Sequence, residues 1–142
     1  MQKFEFVIPR RPLSVQAKNA KHRQEWKDYV HDLARQAWPE DELLVQSPVC
    51  LTLIVIYESV IIDVDNVIKP IQDALRNVVY FDDSLVSDVI SRRRNLNTQF
   101  VLENVSPVLA HGLELAAEFV YVCVTDAPPQ EILNDPVDAT DL

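Results

Sequence analysis

Four of the five aspartates within residues 63–83 fall in two short runs, the first ending on a lysine: Asp63-Val64-Asp65-Asn66-Val67-Ile68-Lys69, then Asp82-Asp83 after the segment that follows. Crowded carboxylates repel one another, and they tolerate such crowding best around a divalent cation. A fold for this chain must either spread these acids into solvent or gather them about a cation. Asp63 and Asp65 are two apart, so on an extended chain both side chains point to one face. A short helix after them would return the chain and bring Asp82 and Asp83 alongside. Mg²⁺ takes hard oxygen ligands and keeps several waters, so two or three carboxylates plus phosphate oxygens suffice. Such an ion activates water and offsets charge on a scissile phosphate. Lys69, one helical turn beyond Asp65, would present a cation to the transition state or leaving oxygen. The bland alternatives are an N-cap for Asp65, a turn for Asp82-Asp83, and an (i, i+4) surface pair for Asp73 with Lys69. The ordered combination favours a metal-dependent phosphodiesterase.

Phosphate has no other cradle in this chain. Gly112 is the only glycine among 142 residues, which excludes both the P-loop and the dinucleotide fingerprint, so no nucleotide cofactor is expected. With 48% apolar residues, one domain with a true core is expected. Residues 1–125 should form it, with residues 126–142 an acidic, proline-containing tail expected to be disordered or loosely attached. Cys50 and Cys123 lie in apolar segments without metal-ligand spacing and read as buried free thiols. No run approaches a membrane span, and Met1 to Val7 alternates like a strand rather than a signal peptide; a soluble, cytoplasmic protein is expected.

Lys3 to Ile8 alternates and stops at Pro9, which predicts a first strand; Pro9 to Ser14 is a stiff basic connector. From about Ala17 to Trp38, Trp26, Val30, Leu33, Ala34 and Ala37 recur at helical spacing, and Pro39 stops the helix. Trp26 and Trp38 read as packing residues; Lys27, Arg35, His22 and His31 read as helix surface. Val49 to Tyr57 predicts a central, β-branched strand. Asp65 or Asn66 should cap a helix to about Val79, starting late enough to keep Pro70 in its first turn. Val86 to Leu96 and Glu118 to Thr125 predict two more strands, with a short helix opened by Ser106-Pro107 between them. The fold class is a mixed α/β (α+β) single domain, a mixed sheet with flanking helices.

The net charge of −9 is unevenly spread: residues 1–36 carry +4, residues 37–125 carry −8, and the tail adds five acids without a base. A basic end beside an acidic middle suits a site that grips phosphate at its margins.

The stretch Asp63-Val-Asp65-Asn66-Val-Ile-Lys69-Pro-Ile-Gln-Asp73-Ala74-Leu75, followed by Tyr80-Phe-Asp82-Asp83-Ser-Leu-Val86-Ser-Asp88, resembles the RusA family of Holliday junction resolvases. The specific match covers roughly residues 60–90. The resemblance implies a Mg²⁺-dependent homodimeric endodeoxyribonuclease, with Mn²⁺ as a substitute, that nicks four-way junctions in recombination and repair. It implies Asp63, Asp65 and Asp83 as metal-binding catalytic carboxylates, Lys69 as the catalytic cation, and Asp82 as a further candidate ligand. Where the best-known members carry an arginine-rich stretch before the first Asp, this chain has Glu58-Ser-Val-Ile-Ile62. DNA contacts are therefore expected from Arg10, Arg11, Lys18, Lys21, Arg23, Arg92, Arg93 and Arg94. The acidic charge also motivates two alternatives: a feebly active or inactive DNA- or protein-binding module on the same fold, and a nuclease for other branched or single-stranded DNA.

Overall fold

Phe4–Ile8 forms β1, and its alternation buries Phe4, Phe6 and Ile8 on one face before Pro9 ends the strand. The computed structural model describes residues 1–13, 19–99 and 101–129. Lys18 and most of the expected acidic tail lie outside the described residues. Ala20–Ala37 forms α1, capped by the Asn19 side chain, which accepts from the amides of Lys21 and His22. Trp26, Val30 and Ala34 are its buried stripe, as the spacing predicts. Val49–Tyr57 forms β2, Ile68–Ala74 α2, Val86–Asn95 β3, Pro107–Glu114 α3 and Phe119–Asp126 β4. The cap of α3 is the Ser106 side chain, which accepts from the Leu109 amide, with Pro107 in the first turn.

The strands join one mixed sheet in the order β1-β4-β2-β3. β4 pairs antiparallel with β1 and β2, whereas β2 and β3 run parallel through the crossover that contains α2. The sheet has two covered faces. Phe6, Ile8, Leu51, Leu53, Val55, Val122 and Val124 pack with Val30, Ala34, Ile71 and Leu75 beneath α1 and α2. Ile56, Phe119, Tyr121 and Cys123 pack on the other side with Val108, Leu109 and Leu113 of α3. The result is an α+β single sheet with helices on both faces, as expected. Among the described residues, no helix is long and apolar enough to cross a membrane. Cys50 and Cys123 are buried and free.

Two expectations need correction. The helix after the acid motif ends at Ala74, not near Val79, because Asn77 turns into the left-handed region (φ 64°) that asparagine tolerates better than most residues. Its cap position is Val67, without a side-chain cap bond, so neither Asp65 nor Asn66 caps it; Pro70 does fall in the first turn.

Candidate active site

The loop that leaves β2 carries Asp63 and Asp65 between two buried anchors, Ile62 and Val67. Its backbone is tied to β3 from the side. The Ser91 hydroxyl donates to the Val64 carbonyl at 2.5 Å, and the Arg93 guanidinium donates to the Ile62 carbonyl at 3.1 Å. Ser91 pairs with Leu53 and Arg93 with Val55, so both side chains stand on the sheet face that α1 and α2 cover. On this anchored loop the carboxylates of Asp63, between the two ties, and Asp65, just past the second, are exposed. Asp63 Oδ2 accepts from Asn66 Nδ2 at 3.3 Å.

Lys69 lies in the first turn of α2. Its ammonium contacts Asp73 Oδ1 at 3.1 Å and Asp83 Oδ2 at 2.5 Å. Hydrogen bonds to Asp83 and then Asp73 hold it above the usual lysine range, so it stays charged at neutral pH. Asp83 reaches this lysine because the chain doubles back after α2. The Asn77 amide donates to the Tyr80 carbonyl at 2.7 Å, and the buried Tyr80 hydroxyl donates to the Gln72 carbonyl at 2.8 Å. Burial pushes the Tyr80 phenol far up, so it serves as a neutral strut. Asp82 faces elsewhere: it caps the single 3-10 turn Asp83–Leu85 through the Ser84 amide and lies 3.7 Å from Arg76. Hydrogen bonds from Ser84 hold its carboxyl below the ordinary range.

The donor chemistry suits a hard dication, but the arrangement is not a closed cage. Among the described residues, no three His, Cys, Asp or Glu side chains are grouped to hold a metal ion. Strand geometry explains the separation. Val64 is pinned beside Ser91 in mid-strand, whereas Asp83 precedes Val86, the first residue of β3. Lys69 and Asp83 are brought together; Asp63 and Asp65 share the same loop; the three acids do not converge.

A cleft adjoins these residues. A cavity of about 170 Å³ is lined by Leu13, Arg23, Trp26, Lys27, Lys69, Pro70 and Asp73. A wider one of about 500 Å³ is lined in part by Arg11, Leu13, Trp26, Asp63 and Asn66. The two adjoin at Leu13 and Trp26, which line both, one beside Lys69 and the other beside Asp63. The indole N–H of Trp26 is buried and finds no acceptor among the described residues.

The expected DNA-contacting residues divide. Arg11 and Arg23 line the cleft, although Arg11 also pairs with Glu118 at 3.0 Å. Arg10 stacks on the Tyr29 ring, 3.8 Å from its centroid, and Lys21 is an exposed partner of Glu25. Arg92 and Arg94 pair with Ile54 and Ile56, on the α3 face and away from the acids; only Arg93 stands on the acid side, as an anchor. Three contributors escaped the sequence reading. Lys27 was expected at the solvated surface but lines the cleft; its spacing of four from Arg23 was the available signal. Ser91 carried no signal, since its role depends on a long-range pairing. His31 was expected at the surface but contacts the Ala74 carbonyl through Nδ1 at 2.9 Å, joining α1 to the end of α2.

Exposed acids, a lysine held among them and a cation-lined cleft are features of a protein that handles phosphodiesters. The family model described as Endodeoxyribonuclease RusA matches residues 9–101, from the end of β1 through β3. The chain belongs to the RusA endodeoxyribonuclease family, the Holliday junction resolvases. No curated protein matches it.

Proposed function

We propose that this chain is a Mg²⁺-dependent endonuclease that cuts branched DNA, four-way junctions foremost, as a homodimer in recombination and repair. The single observation that carries the reading is the Lys69 ammonium, seated between Asp73 and Asp83 beside the anchored Asp63–Asp65 loop, inside the family match. In this role Lys69 presents a fixed positive charge to the scissile phosphate or the leaving oxygen. Ser91 and Arg93 fix the level of the acid loop, and the cleft orients the strand. Asp63, Asp65 and Asp83 are the proposed ligands of the ion, with Asp82 held apart by Arg76 and Ser84. When bound, Mg²⁺, or Mn²⁺ in its place, supplies charge neutralisation and a more acidic water. A two-fold dimer sets two such sites against symmetry-related strands, so paired nicks follow from symmetry.

The test is cleavage of a synthetic four-way junction in Mg²⁺ or Mn²⁺ by the native chain, Asp65→Asn and Lys69→Gln, with sedimentation to read the oligomeric state. Paired nicks by the native chain alone support the reading. Equal absence of cutting in all three overturns it. One observation favours a rival, a DNA-binding module that does not cut: no three carboxylates are grouped for a metal among the described residues. Junction binding without cutting across the metal range would establish that rival.

A further inference from the structure

The sheet face that α3 packs on is covered only in part. α3 lies against β1 and β4, and beyond it β2 and β3 leave Ile54 half-buried and Ile90 exposed. Ile90, Arg92 and Arg94 alternate along β3 and so share that face. The exposed Val101 and Leu102 join Ile54, Arg92 and Arg94 in lining a groove of about 500 Å³. Neither arginine forms an ion pair among the described residues; Arg94 donates to the Arg93 carbonyl at 2.8 Å. Lys3, also in the lining, is taken by Glu5 at 3.2 Å. Glu103 is the one carboxylate of the lining and pairs with neither arginine. Asp88 stands four residues before Arg92, about 13 Å back along the strand.

An occupant of this groove must bring carboxylates and apolar side chains together. Residues 130–142, outside the described residues, carry Glu131, Asp135, Asp138 and Asp141 and no base, interleaved with Ile132, Leu133 and Val137. They follow directly from β4. Asp126 pairs with Val49, and the Ala127 amide donates to the Pro48 carbonyl at 3.0 Å, so the described chain ends beside the start of β2. Arg94 pairs with Ile56, seven residues along β2 and about 23 Å away, to which Ala127, Pro128 and Pro129 add at most about 10 Å. Thirteen extended residues span about 43 Å, which covers the groove. Tethering presents the segment at an effective concentration of about millimolar, so weak contacts suffice. A DNA backbone would meet the arginines but leave Val101 and Leu102 uncovered.

We propose that this groove is the docking site of the chain's own acidic segment, residues 130–142, with its carboxylates on Arg92 and Arg94 and its apolar residues on Ile54, Ile90, Val101 and Leu102. Docked there, four acids are held on the sheet face opposite the Asp63–Asp65 loop, clear of the cleft. The docking goes beyond the nuclease reading and does not depend on it.

The experiment is paramagnetic broadening of amide signals in the full, ¹⁵N-labelled chain. Thr140→Cys carries a nitroxide at a residue of the segment with neither charge nor apolar bulk, and the buried Cys50 and Cys123 leave it the one accessible thiol. Spectra with the nitroxide oxidised and then reduced are compared. The amides of Ile54, Ile90, Arg92, Arg94 and Leu102 are expected to lose most of their intensity, while those of Lys27, Asp63 and Lys69 keep theirs. Arg92→Gln with Arg94→Gln in the same chain, at a native melting temperature, is expected to restore the lost intensity. Loss at Lys27, Asp63 and Lys69 instead would put the segment in the cleft and overturn the proposal. Loss of equal size when the nitroxide is carried only by chains without ¹⁵N, mixed with ¹⁵N chains that lack it, would assign the segment to a second copy and overturn it too. So would the absence of localised loss, or a loss that survives the double substitution.

Discussion

Ser91→Ala isolates the tie that sets the level of the acid loop. The hydroxyl donates to the carbonyl of Val64, the residue between Asp63 and Asp65, and lies outside the cleft lining, so its loss touches neither carboxylate nor DNA directly. A part-buried hydrogen bond of this kind contributes about 1 kcal/mol. For a chain of this size that lowers the melting temperature by about 3 °C. If the bond also sets how often the loop stands where catalysis needs it, the same 1 kcal/mol reduces the competent fraction about fivefold. The expected signature is a cleavage rate at saturating junction lowered about fivefold, with junction affinity in EDTA at the native value. Ser91→Thr keeps the oxygen and adds a methyl group that a strand accepts, so it should recover most of the rate. Single-turnover cleavage with a melting curve for each variant reads both quantities. A Ser91→Ala protein that melts lower yet cuts at the native rate would refute the positioning role.

The split of the three arginines gives a second contrast: Arg94→Gln, on the α3 face, should leave cutting unchanged, whereas Arg93→Gln should lower both the rate and the melting temperature. At Gly112 a Cβ would stand 2.8 Å from the fully buried Phe119 ring, so Gly112→Ala should destabilise by about 1 kcal/mol in urea, overpacking of about 2 offset by about 1 of helix propensity. An unchanged or higher urea midpoint would show that the ring yields. Burial raises both thiols above the ordinary range, so Cys50 and Cys123 should resist a thiol reagent at pH 8 and react once unfolded. The sign follows from the unfolded chain losing those protons first: their contribution to stability is present at neutral pH and falls as pH rises past the ordinary thiol range. Rapid labelling of the native chain would refute it.

Strand positions were legible because period-two alternation is local and glycine is nearly absent; β1, β2 and β4 fall within a residue or two of expectation. The end of α2 was not. Val78 and Val79 continue a helical apolar pattern, yet they are buried by a reversal at Asn77 whose backbone angle no neighbouring residue announces. Arg92, Arg93 and Arg94 look like one basic patch in the sequence. On a strand, adjacent side chains take opposite faces, so the patch divides, and that much could be reasoned from the strand alone. Which face holds the acids depends on the crossover through α2 and needs the structure.

The same distinction governs the site. The candidate acids stood out in the sequence, because an ordered set of four carboxylates and a lysine is rare by chance. Their spacing was not, because it depends on two independent long-range ties. Ser91 and Arg93 hold the Asp63–Asp65 loop beside the middle of β3, while Tyr80 fastens the turn that delivers Asp83 to Lys69. Asp83 therefore already has a cation, and so does Asp73. Two of the acids are neutralised inside the chain by a lysine whose own charge they reinforce. That internal pairing explains how carboxylates can crowd one face without a third element covering them, and why Asp63 and Asp65 alone are left with both charges exposed.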